Sequence, residues 1–289
     1  MNDQAMNLRR KVNHLNNPSE KKATTIAIVS GKGGVGKSNF AINFSLQLKE
    51  LNKRVLLFDL DVGMGNIDIL LGLQPNHSII DMLSNKLKIE SIIEKGPKDL
   101  SYIAGGSSLT EVFSMDNEKI DYFLAQYDKV SKEYDYIVFD LGAGVSESSM
   151  FFTLSSDEII VITTPEPTSI TDAYSMIKHI HLREPNMSFH IVINRAINQK
   201  SGMDMLERFL QVVKNFLKIE ANKLGVLPND PIVTEAVMKQ TPYTLLSKRA
   251  PISKAMKEIV IEYVNENPIK PDRLRGSFVQ RLRQFFVGR

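Results

Sequence analysis

The 289-residue chain predicts an α/β fold built on a single, mostly parallel β-sheet with helices on both faces. Three observations predict it. Short apolar, β-branched runs alternate with helical patterns from Thr24 to about Pro268. A glycine-rich loop joins the first such run to the first helical pattern. Asp or Asn closes several later runs, at the strand ends where open parallel sheets gather their ligands. The hydrophobic share of 43% is enough for a buried core. No repeat or composition break interrupts 24–268, so it reads as one domain between an arm over 1–23 and a tail over 269–289.

The arm shows no clear period and ends in the turn-prone Asn16-Asn17-Pro18-Ser19, so it reads as flexible. A strand is expected over 24–30. Gly31-Lys32-Gly33-Gly34-Val35-Gly36-Lys37-Ser38 follows, fits G-x-x-x-x-G-K-[ST], and runs through Asn39 into a helix over 38–51. Glycines let backbone N–H groups close on phosphates, and a helix N-terminus adds positive potential. Lys37 is expected to reach the β- and γ-phosphates of ATP, or the β-phosphate of ADP, and Ser38 to ligate Mg²⁺.

The next strand, Arg54–Asp59, runs into Asp59-Leu60-Asp61-Val62-Gly63-Met64-Gly65-Asn66. Residues i and i+2 share a strand face, so Asp59 and Asp61 are expected to look at the phosphates together. Strands over Leu100–Ala104 and Tyr136–Asp140 flank a helix near 117–132. Asp140 closes an apolar run, and Gly142 and Gly144 make the following turn adaptable. A strand over Glu158–Thr163 is stopped by Thr164-Pro165-Glu166-Pro167, and a helix over 168–182 follows. Phe189–Asn194 is the next strand, ending in Asn194-Arg195. An Asn amide pairs donor and acceptor on an adenine edge, so Asn194 suits base selection. A helix over 203–218, a strand over Lys223–Leu227 and the loop Pro228-Asn229-Asp230 complete the domain. The N-K-x-D element of guanine selection is absent, which favours adenine.

Composition excludes several chemistries. The chain has no cysteine, which removes disulfides, thiolate zinc sites, Fe–S clusters and thiol nucleophiles, and suits a cytoplasmic protein. The five histidines have no metal-ligand spacing. No apolar run is long enough to span a bilayer, and the polar N-terminus does not read as a signal peptide. The net charge of +3 divides into +3 over residues 1–22, +5 over 269–289 and −5 between them. Basic ends on an acidic body suggest that the ends, not the body, meet something anionic, and no nucleic-acid partner is expected.

The tail is informative. Ser277 and Gln280 form a capping box before Phe278-Val279-Gln280-Arg281-Leu282-Arg283-Gln284-Phe285-Phe286. At helical spacing Phe278, Val279, Leu282, Phe285 and Phe286 share one face, with Arg281 and Arg283 at its edges, where their stems can snorkel. This describes a short helix lying on an anionic membrane. Each basic residue near such a leaflet contributes roughly 1 kcal/mol, so one copy binds marginally and two linked copies bind well. Docking onto the protein's own body, or into a partner's groove, would use the same face. Docking in the monomer and release in a dimer would combine both states.

The loop's second lysine, Lys32, makes it resemble the deviant Walker A of the MinD/ParA class of ATPases. Asp3-Gln4-Ala5-Met6-Asn7-Leu8-Arg9 resembles the D-Q-A-x-x-L-R signature of the flagellar branch of that class, the FlhG type (also called YlxH or FleN). The resemblance covers nearly the whole chain. It implies a MinD-like P-loop NTPase fold and slow ATP hydrolysis, with Lys32 crossing to the partner's nucleotide in an ATP-bound homodimer. It makes Asp61 the residue that positions the attacking water. Asp59 supports the Mg²⁺ shell, and Asp140, ending a Walker B-like strand, holds the ion. The Thr163–Pro167 stretch lines the dimer side, and the Pro228–Asp230 loop closes over the base. The arm, through Asp3, Gln4, Leu8 and Arg9, activates a GTPase of the signal-recognition-particle class. Flagellar number and placement, C-ring proteins of the basal body and reversible residence on the inner face of the cytoplasmic membrane are implied with it. A cell-division MinD would share the site and leave the arm idle. A ParA-like DNA-partitioning ATPase would need a basic body surface. A nitrogenase-reductase-like carrier is excluded by the missing cysteines.

Overall fold

The computed structural model describes residues 22–61, 66–106, 117–144, 147–266 and 277–287. The strands are β1 (Thr24–Val29), β2 (Val55–Leu60), β3 (Glu94–Lys95), β4 (Ser101–Ile103), β5 (Tyr136–Leu141), β6 (Glu158–Thr163), β7 (Ser188–Ala196) and β8 (Asn222–Pro228). They form one sheet in the order β3-β4-β2-β5-β1-β6-β7-β8. Every pairing is parallel except that of the two-residue β3 with β4.

Side-chain alternation divides the core. Ala27 and Val29 of β1 face one apolar cluster, with Leu56, Phe58, Ile137 and Phe139. Ile26 and Ile28 face the other, with Leu57 and Val138. The second face is covered by α1 (Lys37–Glu50), α2 (Ile67–Leu71), α8 (Ile232–Met238), α9 (Tyr243–Leu246) and α10 (Pro251–Glu266). The first is covered by α3 (Ile79–Asn85), α4 (Asn117–Val130), α5 (Glu147–Ser155), α6 (Pro167–Arg183), α7 (Gln199–Leu217) and α11 (Phe278–Val287). The expected strands and helices are all present. Helices α2, α3, α5, α8, α9 and α10 and the short strand β3 are additions to the sequence reading. In α10, Ile252, Met256, Ile259, Val260 and Tyr263 are buried at helical spacing behind a proline in the first turn.

The tail helix is docked on its own chain, seated against α4 and α5. Phe278 and Leu282 are buried, and the Phe278 ring lies 4.6 Å from Tyr127 and 5.2 Å from Phe139. The Phe285 ring packs tilted against Phe151, with centroids 5.5 Å apart, and Val279 packs at the margin of the same cluster. The sequence reading put Arg281 at the helix edge with its head in solvent, and the structure corrects this. Arg281 is buried, donating from Nε to the Ser155 carbonyl at 2.8 Å and from its guanidinium to Asp157 at 2.7 Å. The helix fills a gap between two others, so its flank meets protein rather than water, and a buried charge persists only when paired. Arg283 stays exposed on Asp121 at 2.8 Å. The arm residues Asp3, Gln4, Leu8 and Arg9, the turn residues Val62–Gly65 and the side chain of Phe286 lie outside the described residues. Among the described residues no helix is long and apolar enough to cross a membrane.

Candidate functional site

The glycine loop leaves the carboxyl end of β1 at the centre of the sheet, with β5 and β6 on either side. Close packing explains its composition. A Cβ on Gly31 would lie 2.2 Å from the Asp172 carbonyl carbon, so the loop abuts the backbone of α6. Gly36 has φ +92°, and a Cβ there would meet Asn194 Nδ2 at 2.5 Å. The Ser30 hydroxyl donates to the Lys32 carbonyl at 2.9 Å, and Gly144 N–H donates to the Ser30 carbonyl at 3.0 Å. The loop after β5 is thereby tied to the loop after β1.

Strand register assembles the acidic residues. Asp59 and Asp140 are direct neighbours across β2 and β5, on the α1 side of the sheet. Lys37, opening α1, reaches between the strands, with Nζ 3.4 Å from Asp140 and 3.7 Å from Asp61. The expected group of Lys37, Asp59, Asp61 and Asp140 is therefore brought together. Asp59 accepts from the N–H groups of Asp61 at 3.2 Å and Ile67 at 3.1 Å, one just past the end of β2 and one at the start of α2. Burial, then the nearby Asp140, pushes the Asp59 carboxyl up to about 7. Burial also raises Asp140, while Lys37 and the neighbouring Ser38 hydroxyl pull the other way.

The Asp140 Oδ2 atom is buried with no hydrogen-bond partner. A hard cation would satisfy it, and the donors nearby, Ser38, Asp59 and Asp140, are all oxygen. Among the described residues no three His, Cys, Asp or Glu side chains form a ready-made metal cage. The orphaned oxygen and the all-oxygen donor set fit Mg²⁺, which takes one or two protein oxygens and completes its shell with water and phosphate.

Lys32 stands on the open rim, donating to Glu166 at 3.0 Å and to the Thr168 hydroxyl at 3.4 Å. Glu166 was read as part of a stiff loop on the dimer side of the nucleotide, and its contact with the loop lysine was not legible in the sequence. Asn194, expected at the base, is also tied to the loop, donating to the Val35 carbonyl at 2.7 Å and accepting from Arg195 N–H at 2.9 Å. One amide hydrogen and one lone pair remain for a base. Arg195 is exposed at a positive φ of 58°. Asp230 accepts from Ile232 N–H at 3.1 Å and Ile252 N–H at 3.3 Å, stapling the starts of α8 and α10 beside Pro228.

Comparison with known proteins adds the following. The ParA family, described as NUBPL iron-transfer P-loop NTPase, matches residues 21–264. The antiactivator FleN of Pseudomonas aeruginosa is 31% identical over 262 residues, spanning 90% of this chain and 93% of that one. The flagellum site-determining protein YlxH of Helicobacter pylori is 34% identical over 258 residues, spanning 87% and 85%. The septum site-determining protein MinD with Mg-ADP from Pyrococcus horikoshii superposes with a TM-score of 0.69 over 87% of this chain and 100% of that one. Its identity of 24% speaks for the fold alone.

Proposed function

The chain belongs to the ParA/MinD family of P-loop NTPases, and from that premise we propose that it is an ATPase switch regulating flagellar number and placement. The flagellar part rests on near full-length likeness to FleN and YlxH. The observation that carries the switch is the setting of Lys32. It sits on the open rim of the glycine loop, held by an exposed carboxylate and hydroxyl that a phosphate can replace.

In this reading MgATP lies along Gly31–Asn39, with Lys37 on its β- and γ-phosphates and Ser38 and Asp140 toward the metal, backed by Asp59. The metal supplies charge neutralisation on the phosphates. Asp61, beside Lys37, orients the attacking water, and hydrolysis is slow. Asn194, Arg195, Pro228 and Asp230 border the adenine. A second copy closes over the first, and each Lys32 crosses to the other's triphosphate. Dimerisation then frees α11, whose aromatic face enters an anionic membrane on the cytoplasmic side. Two copies make that weak anchor effective. The arm stimulates a signal-recognition-type GTPase through Asp3, Gln4, Leu8 and Arg9, and C-ring proteins receive the signal.

Sedimentation tests this reading directly. With ATP and anionic vesicles the wild type is expected to dimerise and pellet, and Lys37→Ala to do neither. Equal pelleting by the variant, or a wild type that stays single with a non-hydrolysable ATP analogue, would defeat the reading. The cell-division alternative, which shares the fold and the site, is separated by removing residues 1–20. Unchanged stimulation of the GTPase would favour it.

A further inference from the structure

Strand β7 ends irregularly. Its register with β8 shifts between Ile193 and Ala196, and Arg195 takes a left-handed conformation with no glycine to ease it. Such a backbone costs on the order of 1–3 kcal/mol and persists where its surroundings require it. Bulges near sites re-aim side chains, and this one re-aims Asn194. Turned back, the Arg195 N–H donates to Asn194 Oδ1 at 2.9 Å and locks the amide plane. The opposite end of that amide then donates to the Val35 carbonyl at 2.7 Å, across 159 residues of sequence. Asn194 is buried, and Gly36 leaves room for its nitrogen where a Cβ would stand 2.5 Å away.

The consequence follows from the peptide itself. The chain has no cis peptide bond among the described residues, so the Val35 carbonyl and the Gly36 N–H point in opposite directions. Holding that carbonyl toward β7 turns the Gly36 N–H away from β7. Loops of this kind grip anions with N–H groups, so the direction of each one matters.

We propose that Asn194 is a positioning residue of the phosphate loop: it keys the end of β7 into the Val35–Gly36 peptide and sets how the Gly36 N–H meets a diphosphate or triphosphate. This rests on the nucleotide-binding reading above and differs from reading Asn194 as a contact to the base alone. The key belongs to the phosphate half of the ligand, so it acts on ligands that have no base.

The test compares full-length wild type with Asn194→Ala, titrated with MgADP and with magnesium pyrophosphate. Amide hydrogen exchange across residues 31–38 is followed in the nucleotide-free protein. The expected result is that both ligands weaken by a similar factor, about 5- to 30-fold. Exchange should rise at 31–38 while the rest of β1 and α1 keeps its protection. If ADP weakens while pyrophosphate and exchange are unchanged, Asn194 reads the base and the proposal is overturned. Exchange rising throughout the protein marks a general packing role and overturns it as well. A wild type that binds neither ligand defeats the nucleotide reading, and the exchange data alone then decide the key. Should Asn194→Ala fail to fold, Asn194→Ser is scored by the same criteria.

Discussion

Lys32 and Arg281 are both cations that the sequence offers to an outside anion, one to phosphate and one to lipid. In the single chain each is held by the protein's own carboxylate, but in opposite settings. Lys32 meets Glu166 with side chains 43% and 59% exposed, and Arg281 meets Asp157 with side chains 7% and 11% exposed. An exposed pair contributes about 0–1 kcal/mol, whereas removing one partner of a buried pair costs about 3–5 kcal/mol. The loop cation can therefore change partners at little cost. The tail cation is latched, and burial of Phe278 and Leu282 adds about 1.5–3 kcal/mol for each side chain. In the proposed switch, the loop end would respond readily to nucleotide, and the helix would leave only when something compensates for the lost seat.

Arg281→Ala is the strongest way to break this contrast. It should destabilise the docked tail by up to about 3–5 kcal/mol, because Asp157 loses its cationic partner and keeps the Thr25 donors, and the helix loses its bond to the Ser155 carbonyl. Protease sensitivity between α10 and α11 should rise. Nucleotide-free protein should also bind anionic vesicles more than wild type does, since release outweighs the roughly 1 kcal/mol of lost lipid attraction. A tail as protected as in wild type would show that Arg281 is no latch.

Asp59→Asn should act next most strongly, at the loop end. The folded pKa near 7 lies above the ordinary carboxylate value of 3.8, so the folded state holds its proton more tightly than the unfolded one. This carboxyl therefore lowers stability as pH rises from about 4 to about 7, after which the loss is complete. The variant should be more stable than the wild type at pH 8 by on the order of 2–4 kcal/mol without nucleotide. That gap should close as pH falls toward 4, which thermal melts across the range would show. A gap independent of pH would assign the effect to packing.

Arg283→Ala and Glu166→Gln should move stability least, each within about 1 kcal/mol, because both pairs are exposed. Arg283 and Arg281 share one short helix, so melts of their variants measure burial with chemistry held constant. Equal losses from the two would dissolve the comparison.

Legibility in the sequence followed the range of the interactions. Gly31–Ser38 could be read because strand, loop and helix are contiguous and their chemistry is local. Asp59, Asp61 and Asp140 could be placed because strand periodicity and parallel pairing bring strand ends together. Asn194 was located, but not its partner, since that partner is a backbone carbonyl far away in sequence. Glu166 was hidden for the same reason. The tail was recognised as amphipathic, but an apolar stripe is equally suited to lipid and to protein. The choice between them depended on a gap between α4 and α5, with Asp157 at its foot. Helix α5 escaped notice because Met150, Phe151, Phe152 and Leu154 give little contrast between its faces.

The borders of the sheet also have a consequence. One border is β3, two residues long and running against its neighbour. The other is β8, which starts with exposed Asn222 and Lys223, carries Gly225 and finishes at Pro228. Neither offers the long, flat row of free backbone groups on which a foreign strand could template itself. Growth by ribbon-to-ribbon addition is therefore discouraged at both margins, which favours association through loops and helix surfaces and guards against runaway fibre formation.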